Sequence, residues 1–215
     1  MKQPTIYESL ADHQCGETWK YREVMRELHL WSERFNLEFK LEVPEITIGV
    51  EVLRHRDGQF RYGHNGLGLR REILIDRRHL EDNRHPEKWY EVLGTLLHEQ
   101  LHAWQDAHGK TGKRNYHNRE FCRKAADLGL IVAPNGYRQY EPDPDSPFLS
   151  LIEKRGVHIP LLPEPDRLAG HRKKPRRSKL KLWVCSCTPP VRVRVGRAVF
   201  EAQCLRCGCN FELVI

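Results

Sequence analysis

The chain has 215 residues, of which 39% are hydrophobic and 30% are charged, values typical of a soluble globular protein with a core of modest size. It contains no run of about 18 apolar residues, so we expect neither a membrane-spanning helix nor a membrane partner. The polar start of the chain lacks the apolar core of a signal peptide, which favours a cytoplasmic protein, nucleoid-associated in a prokaryote or nuclear in a eukaryote. The net charge of +7 has one source, because residues 172–181 hold seven of the 36 Lys and Arg and no acid.

The first third of the chain predicts one helix followed by a small antiparallel sheet. Apolar residues recur every three or four positions over 17–36, which predicts an amphipathic helix. Apolar and polar residues alternate over 37–43 and again over 46–54, which predicts two half-buried strands. Asp57-Gly58 favours a turn that closes a hairpin, and residues 71–76 predict a further strand.

Two helices follow, and the first carries a chemical motif. Pro86 lies where a helix would start, a wide apolar face follows from Trp89, and Gly109 is a natural stop, so we predict a long helix between Pro86 and Gly109. A shorter helix is predicted over 118–128, ending before Gly129. We interpret four further histidines as surface or loop residues: His13, His64, His79 and His85.

The long helix contains the sequence HEQLH, an HExxH motif. Residues four apart on a helix share one face, so His98 and His102 can both reach one zinc ion. Glu99 lies beside the first of these ligands, where a general base can take a proton from water at the open position of the ion. The motif therefore predicts Glu99 as the catalytic residue of a metallopeptidase.

A catalytic zinc ion takes three protein ligands, and the sequence offers three candidates for the third. His108 follows His98 at the metzincin spacing, but that pattern requires a glycine where this chain has Gln105. Glu120 lies where a carboxylate of a second helix serves thermolysin-like enzymes. His117 begins the second predicted helix, and the preceding loop is long enough to bring it back to the first. We favour His117 and leave the other two open.

These motifs together resemble the SprT-like, or Spartan-type, metalloprotease domain. TLLHEQLHA at 95–103 is similar to the family's HExxH helix, and HNREF at 117–121 is similar to its HGxxF-like string with Asn118 in place of glycine. The resemblance covers about residues 17–131. It implies a zincin-like α+β fold, zinc bound by His98, His102 and His117, and peptide hydrolysis with Glu99 as the base.

The C-terminal residues predict a second zinc site of a structural kind. Two cysteine pairs, CSC and CLRC, are separated by 16 residues, and four thiolates suit a closed tetrahedral site that stabilises a segment too small to fold alone. Residues 191–195 alternate like a strand, which favours a zinc ribbon. Cys209 remains an alternative to Cys207 or a free thiol. The predicted ligands are Cys185, Cys187, Cys204 and Cys207.

Between the two zinc sites lies a stretch rich in proline and, at its end, in basic residues. Eight prolines between 134 and 175 predict a linker or extended arm. The basic run suits contacts with DNA phosphates, and Trp183 just after it suits stacking on a base. The predicted nucleic-acid contacts are Arg172, Lys173, Lys174, Arg176, Arg177, Lys179 and Lys181.

The sequence thus predicts a protease domain at 1–133, a Pro-rich basic linker at 134–181 and a zinc ribbon at 182–215, with one catalytic and one structural Zn²⁺. The family resemblance implies protein substrates that are bound or crosslinked to DNA. Two other interpretations stay open. One is a DNA-binding zinc protein whose HExxH domain is not catalytic, and the other is a general peptidase that is not coupled to DNA.

Overall fold

A computed structural model of the chain describes residues 3–16, 18–85, 87–112, 116–132, 138–140, 145–163, 180–197 and 199–214. It divides into a first unit, Met1–Glu164, and a second unit, Pro165–Ile215. The elements in chain order are α1 (Ile6–Cys15), α2 (Arg22–Glu38), β1 (Thr47–Glu51), β2 (Gly58–His64), β3 (Arg70–Asp76), α3 (Arg77–Asp82), α4 (Trp89–His108), α5 (Arg119–Asp127), β4 (Leu130–Val132), β5 (Arg138–Tyr140), α6 (Pro147–Arg155), β6 (Lys181–Val184), β7 (Arg192–Val195) and β8 (Glu212–Val214).

The helix predicted over 17–36 is α2, and its apolar face lies in the core of the first unit. The strand predicted over 37–43 is wrong, because α2 continues to Glu38 and no strand follows until β1. The rings of Phe35 and Phe39 stack 5.9 Å apart, one helical turn from each other, so Phe39 continues the buried face of the helix. The sequence also gave no prediction of α1, which begins with a capping box at Thr5 and Glu8.

The three-stranded sheet is mixed rather than antiparallel, and its order is β1-β3-β2. β1 lies parallel to β3, whereas β2 lies antiparallel to β3 and forms an edge of the sheet. The predicted hairpin between β1 and β2 is therefore wrong. Asp57-Gly58 leads into β2, but the hairpin joins β2 to β3 through a loop in which the Asn65 side chain accepts hydrogen bonds from the backbone of Leu67 and Leu69.

Helix α4 is the central element of the first unit, and it packs against α2, β2 and β3. The predicted helix and its end at Gly109 are confirmed, and α4 runs from Trp89 to His108; the predicted start at Pro86 lies outside the described residues. Its apolar face is completely buried, and Gln100 in the middle donates from Nε2 to the carbonyl of Ser32 in α2 at 2.9 Å. The chain then reaches α5, also as predicted. A helix buried on this scale presents its polar side chains from fixed positions.

Part of the stretch that we expected to be a linker is packed structure. Residues 147–155 form α6, which begins at an N-cap, Ser146, with proline in its first turn. Phe148 is fully buried in the core of the first unit, with its ring 6.0 Å from that of Phe35. The proline-rich composition concealed this helix because prolines flank it without interrupting it. The interpretation of the stretch as an extended arm is thus wrong for residues 147–155.

The second unit contains a three-stranded antiparallel sheet in the order β7-β6-β8. Trp183 of β6 pairs with Val193 of β7 on one side and with Leu213 of β8 on the other. The strand predicted at 191–195 is confirmed as β7. Over the residues that the structure describes, no helix is both long enough and apolar enough to cross a lipid bilayer.

Candidate metal centres

Helix α4 places two imidazoles on one of its faces. His98 and His102 are one turn apart, and both are buried, with 7% and 2% of their surface exposed. Burial of polar rings in this way requires partners, since an unsatisfied polar group in the interior is destabilising. Their partner comes from the chain beyond the end of the helix.

That partner is His117, which precedes α5. Its Nε2 atom lies 3.1 Å from Nε2 of His98 and 3.2 Å from Nε2 of His102. Three nitrogens bound to one tetrahedral zinc ion at 2.0–2.1 Å would be about 3.4 Å apart, so the three rings fit one ion with little movement. His98, His102 and His117 thus form a candidate metal site, consistent with a site of the HExxH type. The prediction that these three imidazoles converge is confirmed.

The other two candidates for the third ligand point to other partners. Nε2 of His108 lies 2.8 Å from the carbonyl oxygen of Glu42. Glu120 accepts a hydrogen bond from the backbone N–H of Lys110 at 2.9 Å, and this bond is the first cause of the lowered pKa of its carboxyl group. Neither side chain belongs to the cluster around His117.

Glu120 instead takes part in a polar clasp that fixes the loop between α4 and α5. Gln105, which is fully buried, donates from Nε2 to Oδ1 of Asn118 at 2.9 Å and to Oε2 of Glu120 at 3.3 Å. Asn118 donates back to the carbonyl of Lys110 at 2.7 Å and caps α5 by accepting from the backbone of Phe121. This clasp holds the residue adjacent to His117, so it orients the third imidazole. In the sequence, Gln105 was notable only because the metzincin pattern requires a glycine at its position.

Phe121 packs against all three imidazoles, a role that the sequence did not reveal. Its ring is fully buried and stacks on His102 at 4.4 Å, and its centroid lies 4.7 Å from that of His117 and 5.2 Å from that of His98. An apolar wall on one side of the rings limits their rotation and excludes water from their backs. The available signals were its position four residues after His117 and its match to the phenylalanine of the HGxxF-like string, neither of which showed what the ring contacts.

The buried environment keeps His102 in the state that binds metal. Burial, and then the positive potential of His117, lowers the pKa of His102 to about 3. A histidine with so low a pKa is neutral at physiological pH, and a neutral ring nitrogen offers the lone pair that a metal needs. The site is therefore ready for a cation without first losing a proton from His102.

Glu99 lies on the side of α4 that faces the start of β2. It is buried, and a Cβ atom added at Gly58 would lie 3.0 Å from its Cγ and 3.1 Å from its Oε1. Only glycine lets the strand approach the carboxylate this closely. The phenol of Tyr62, farther along β2, has its pKa raised to about 12 by burial first and then by the charges of Asp106 and Glu99. The base predicted from the motif is thus enclosed between a helix and a strand.

His79 is a correction to the sequence analysis, which placed it on the surface. It is 8% exposed, its Nε2 lies 2.9 Å from Oγ1 of Thr95, and its Nδ1 lies 3.6 Å from Oδ1 of Asp57. Thr95 is one turn before Glu99 on α4, and Asp57 directly precedes Gly58. His79 therefore ties together the two elements that enclose Glu99. Its spacing from the motif gave no sign of this, because the contacts join three separate elements.

The second unit brings four thiols together. The sulfur atoms of Cys185, Cys187, Cys204 and Cys207 lie within 4.8 Å of one another, which makes this group a second candidate metal site. Sγ of Cys187 and Sγ of Cys204 are 3.9 Å apart, close to the separation of about 3.8 Å for two sulfurs on one tetrahedral zinc ion. Cys209 is exposed and lies outside the group, with its sulfur 3.6 Å from the carbonyl oxygen of Cys207.

The thiols differ in how readily they ionise. Burial raises the pKa of Cys185, but hydrogen bonds from the backbone of Cys187 and Val191 outweigh it and lower the value to about 6. Neighbouring thiols, Cys207 first, act in the opposite direction on Cys187 and raise its pKa to about 12. Thiolates this close repel one another, so a full set of four ionised sulfurs needs a cation between them.

Of the predicted nucleic-acid contacts, the structure describes only Lys181. Residues 172–179 lie outside the described residues, which leaves Lys181, exposed at the start of β6. Trp183 is 8% exposed and its ring packs 5.5 Å from that of Phe200. So little of the ring is exposed that the structure counts against the expectation that Trp183 stacks on a base.

Comparison of the chain with profiles of known protein families, with curated proteins and with solved structures gave no match. The chemical character of the two clusters therefore comes from this chain's own residues and their geometry.

Proposed function

We propose that the chain is a zinc-dependent metallopeptidase of the SprT-like type. The observation that carries this proposal is the convergence of three Nε2 atoms, from two adjacent elements, beside a buried glutamate on the same helix. Three neutral imidazoles with a fourth position left open are the ligand set of catalytic zinc sites, whereas structural sites use four protein ligands. The resemblance of TLLHEQLHA and HNREF to the family adds the reaction class.

Each side chain has a stated task in this proposal. His98, His102 and His117 hold the ion, which when bound supplies Lewis acidity and lowers the pKa of coordinated water to about 7. Glu99 accepts the proton of the attacking water and delivers it to the leaving amine. Phe121 and the clasp around Gln105 keep the three imidazoles in register. The proximity of Gly58 holds the Glu99 carboxylate against the helix, so the base keeps one orientation.

The second part of the proposal concerns the substrate, which we infer to be protein bound or crosslinked to DNA. Residues 165–215 hold 12 Lys and Arg against three acids, and a zinc ribbon with a basic arm suits phosphate contacts. A protease held on DNA meets DNA-bound proteins at high effective concentration, so proximity rather than a narrow sequence preference would select its substrates. The family resemblance supports the same substrate class.

Metal content and one conservative substitution test the first part. The purified chain is expected to hold two equivalents of zinc, falling to one in His117→Ala and staying at two in His108→Ala. Glu99→Gln is expected to keep both ions and to lose hydrolysis of an unfolded protein substrate by about 10²- to 10⁴-fold, the usual contribution of a general base. Proteolysis that survives in Glu99→Gln would contradict the assignment.

The DNA-linked part has its own readout. Cleavage of a DNA-binding protein should rise when DNA is added, and the rise should fall steeply between about 50 and 200 mM salt. A general peptidase would cut free peptides equally with and without DNA. A chain that binds two zinc ions and DNA but cleaves nothing would instead be a DNA-binding zinc protein.

A further inference from the structure

The loop between β1 and β2 carries three consecutive basic side chains, Arg54, His55 and Arg56, which we call the basic tip. All three are exposed. Within the described part of the chain they make no hydrogen bond and no ion pair. Other arginines of the same sheet region are neutralised, through the pairs Arg61–Glu72, Arg71–Asp106 and Arg78–Asp76. The side chains of the basic tip are therefore exposed to solvent and pair with no other group in the described part of the chain.

The tip is held at a fixed position because both ends of the loop are fastened to the end of β3. The backbone N–H of Leu53 donates to Oδ1 of Asp76 at 2.9 Å, and the guanidinium of Arg78 donates to the carbonyl of Leu53. The backbone N–H of Asp76 donates to the carbonyl of Asp57 at 2.8 Å, and His79 approaches the side chain of Asp57. A loop fastened at both ends presents its tip with little loss of entropy on binding.

The basic tip also lies beside the candidate active site. Gly58, two residues after Arg56, is in close approach to Glu99. Two Cα–Cα steps of about 3.8 Å put the Cα atoms of Arg56 and Gly58 no more than about 8 Å apart. The long, flexible arginine side chain extends this reach further. A polypeptide that lies across the site next to Glu99 would pass within reach of the tip.

The charge of the surrounding unit indicates what kind of partner the tip fits. Residues 1–164 hold 24 Lys and Arg against 26 Asp and Glu, so the tip is a local positive spot on a slightly acidic unit. Nucleic acid binds through many phosphate contacts spread over a surface rich in basic side chains, and the composition of residues 1–164 shows no such excess of basic charge. Two guanidinium groups suit one or two carboxylates, since arginine pairs with them in a bidentate manner. A short acidic segment of polypeptide therefore fits better than a polyanion.

We propose that the basic tip is a substrate subsite that binds Asp or Glu side chains of the polypeptide, a few residues from the bond that is cut. The inference rests on the proposed peptidase function and adds a preference to it. Selection at the tip would be electrostatic, so it should weaken as salt is raised. Arg54 and Arg56 would be the binding groups, and Asp76 would be the residue that positions them.

Two labelled peptides of equal length test the subsite, one with three Glu and the other with Gln at the same positions. The acidic peptide should be cleaved with a kcat/KM about fivefold higher, the size expected for one or two exposed charge pairs. The double substitution Arg54→Glu/Arg56→Glu should remove or invert this ratio. A matched double substitution of exposed residues on α5 and α6, Arg123→Glu/Lys154→Glu, changes the net charge equally and should leave the ratio as it is.

A binding measurement separates this inference from the function on which it rests. In the Glu99→Gln background, fluorescence anisotropy of the same two peptides gives their Kd values without cleavage, and the acidic peptide should bind about fivefold more tightly. Equal affinities, unaffected by reversal at the tip, would overturn the subsite even if the wild type cleaves both peptides. If the wild type cleaves neither peptide, the proposed peptidase function is overturned. The ratio of the two Kd values then still tests whether the basic tip binds acidic side chains. A tip reversal that weakens only the binding of a 20-bp DNA duplex would also overturn it.

Discussion

Two of the three imidazoles lie on α4 and the third directly before the cap of α5, in a unit with a large buried core, whereas the four thiols lie on loops beside a three-stranded sheet. Around the imidazoles, Phe121 and the clasp of Gln105 fix the ligands through contacts that need no ion. In the described part of the second unit, the buried hydrophobic residues are Trp183, Cys185 and Cys204, so two of the three are proposed ligands. At the first site, the packing of the fold already holds the ligands in position. At the second site, a bound metal would supply the stability that the few buried hydrophobic residues of that unit do not.

Because of this difference, ions bound at the two candidate sites would have different roles. When a metal binds to ligands that the fold already holds in position, most of its binding free energy appears as affinity for the metal. A metal bound where little else holds the chain contributes its binding free energy to folding. Removing zinc from the whole chain should therefore leave the first unit folded and unfold the second.

The largest effect is expected at the thiol site. Cys204→Ala should remove one zinc equivalent and unfold β6–β8, because structural zinc supplies an apparent 10–16 kcal/mol, about as much as a small domain has in total. Amide hydrogen exchange should become fast in β6–β8 and stay slow in α4. Cys209→Ala is the matched control, since Cys209 lies outside the cluster, and it should change neither property. Slow exchange in β6–β8 of Cys204→Ala would show that the ribbon folds without its ion.

A smaller effect is expected from the wall behind the imidazoles. Phe121→Ala should destabilise the first unit by about 3–5 kcal/mol, the usual loss for a fully buried phenylalanine, and should also weaken zinc binding at the His site. Phe148→Ala removes an equally buried ring away from the imidazoles and should lower stability alone. Denaturant unfolding and competition with a chelator measure the two quantities. Equal zinc affinities in the two variants would mean that Phe121 only fills space.

The parts of the fold that could be predicted are those in which the determining residues are close in the sequence. The apolar period of α4, its end at Gly109 and the four-residue spacing of His98 and His102 are all local, and the structure confirms them. The two cysteine pairs are local in the same sense, because each pair lies on one short loop. The length of the loop before α5 favoured His117 as the third ligand, but it left His108 and Glu120 open until the structure placed all three side chains.

The errors arise where distant segments decide the outcome. β1 pairs in parallel with β3 and not with β2, and it packs on α1 and α2 whereas β2 and β3 pack on α4. His79 is buried by Asp57 and Thr95, neither of which is near it in the sequence. Gln105 and Phe121 gain their roles only when α5 folds back over α4. Periodicity shows which face of an element is buried, but it does not show what that face contacts.

The smallest effect is expected from substitution of Glu120, the carboxylate of the clasp. It measures how far the first site depends on polar contacts. The hydrogen bond from the backbone of Lys110 lowers the pKa of Glu120 in the folded state. Its contribution to stability is therefore complete above the unfolded pKa near 4.3 and is lost as the pH falls through the folded value. We expect Glu120→Gln to reduce the free energy of unfolding of the metal-free chain by about 0.5–1 kcal/mol at pH 7, after allowance for solvent screening.

The difference in the free energy of unfolding between wild type and variant, measured by urea unfolding at several pH values, should shrink toward pH 3. A difference that grows in acid would place the stabilising charge on another carboxylate, and His117 would then be held by Gln105 and Asn118 without help from Glu120.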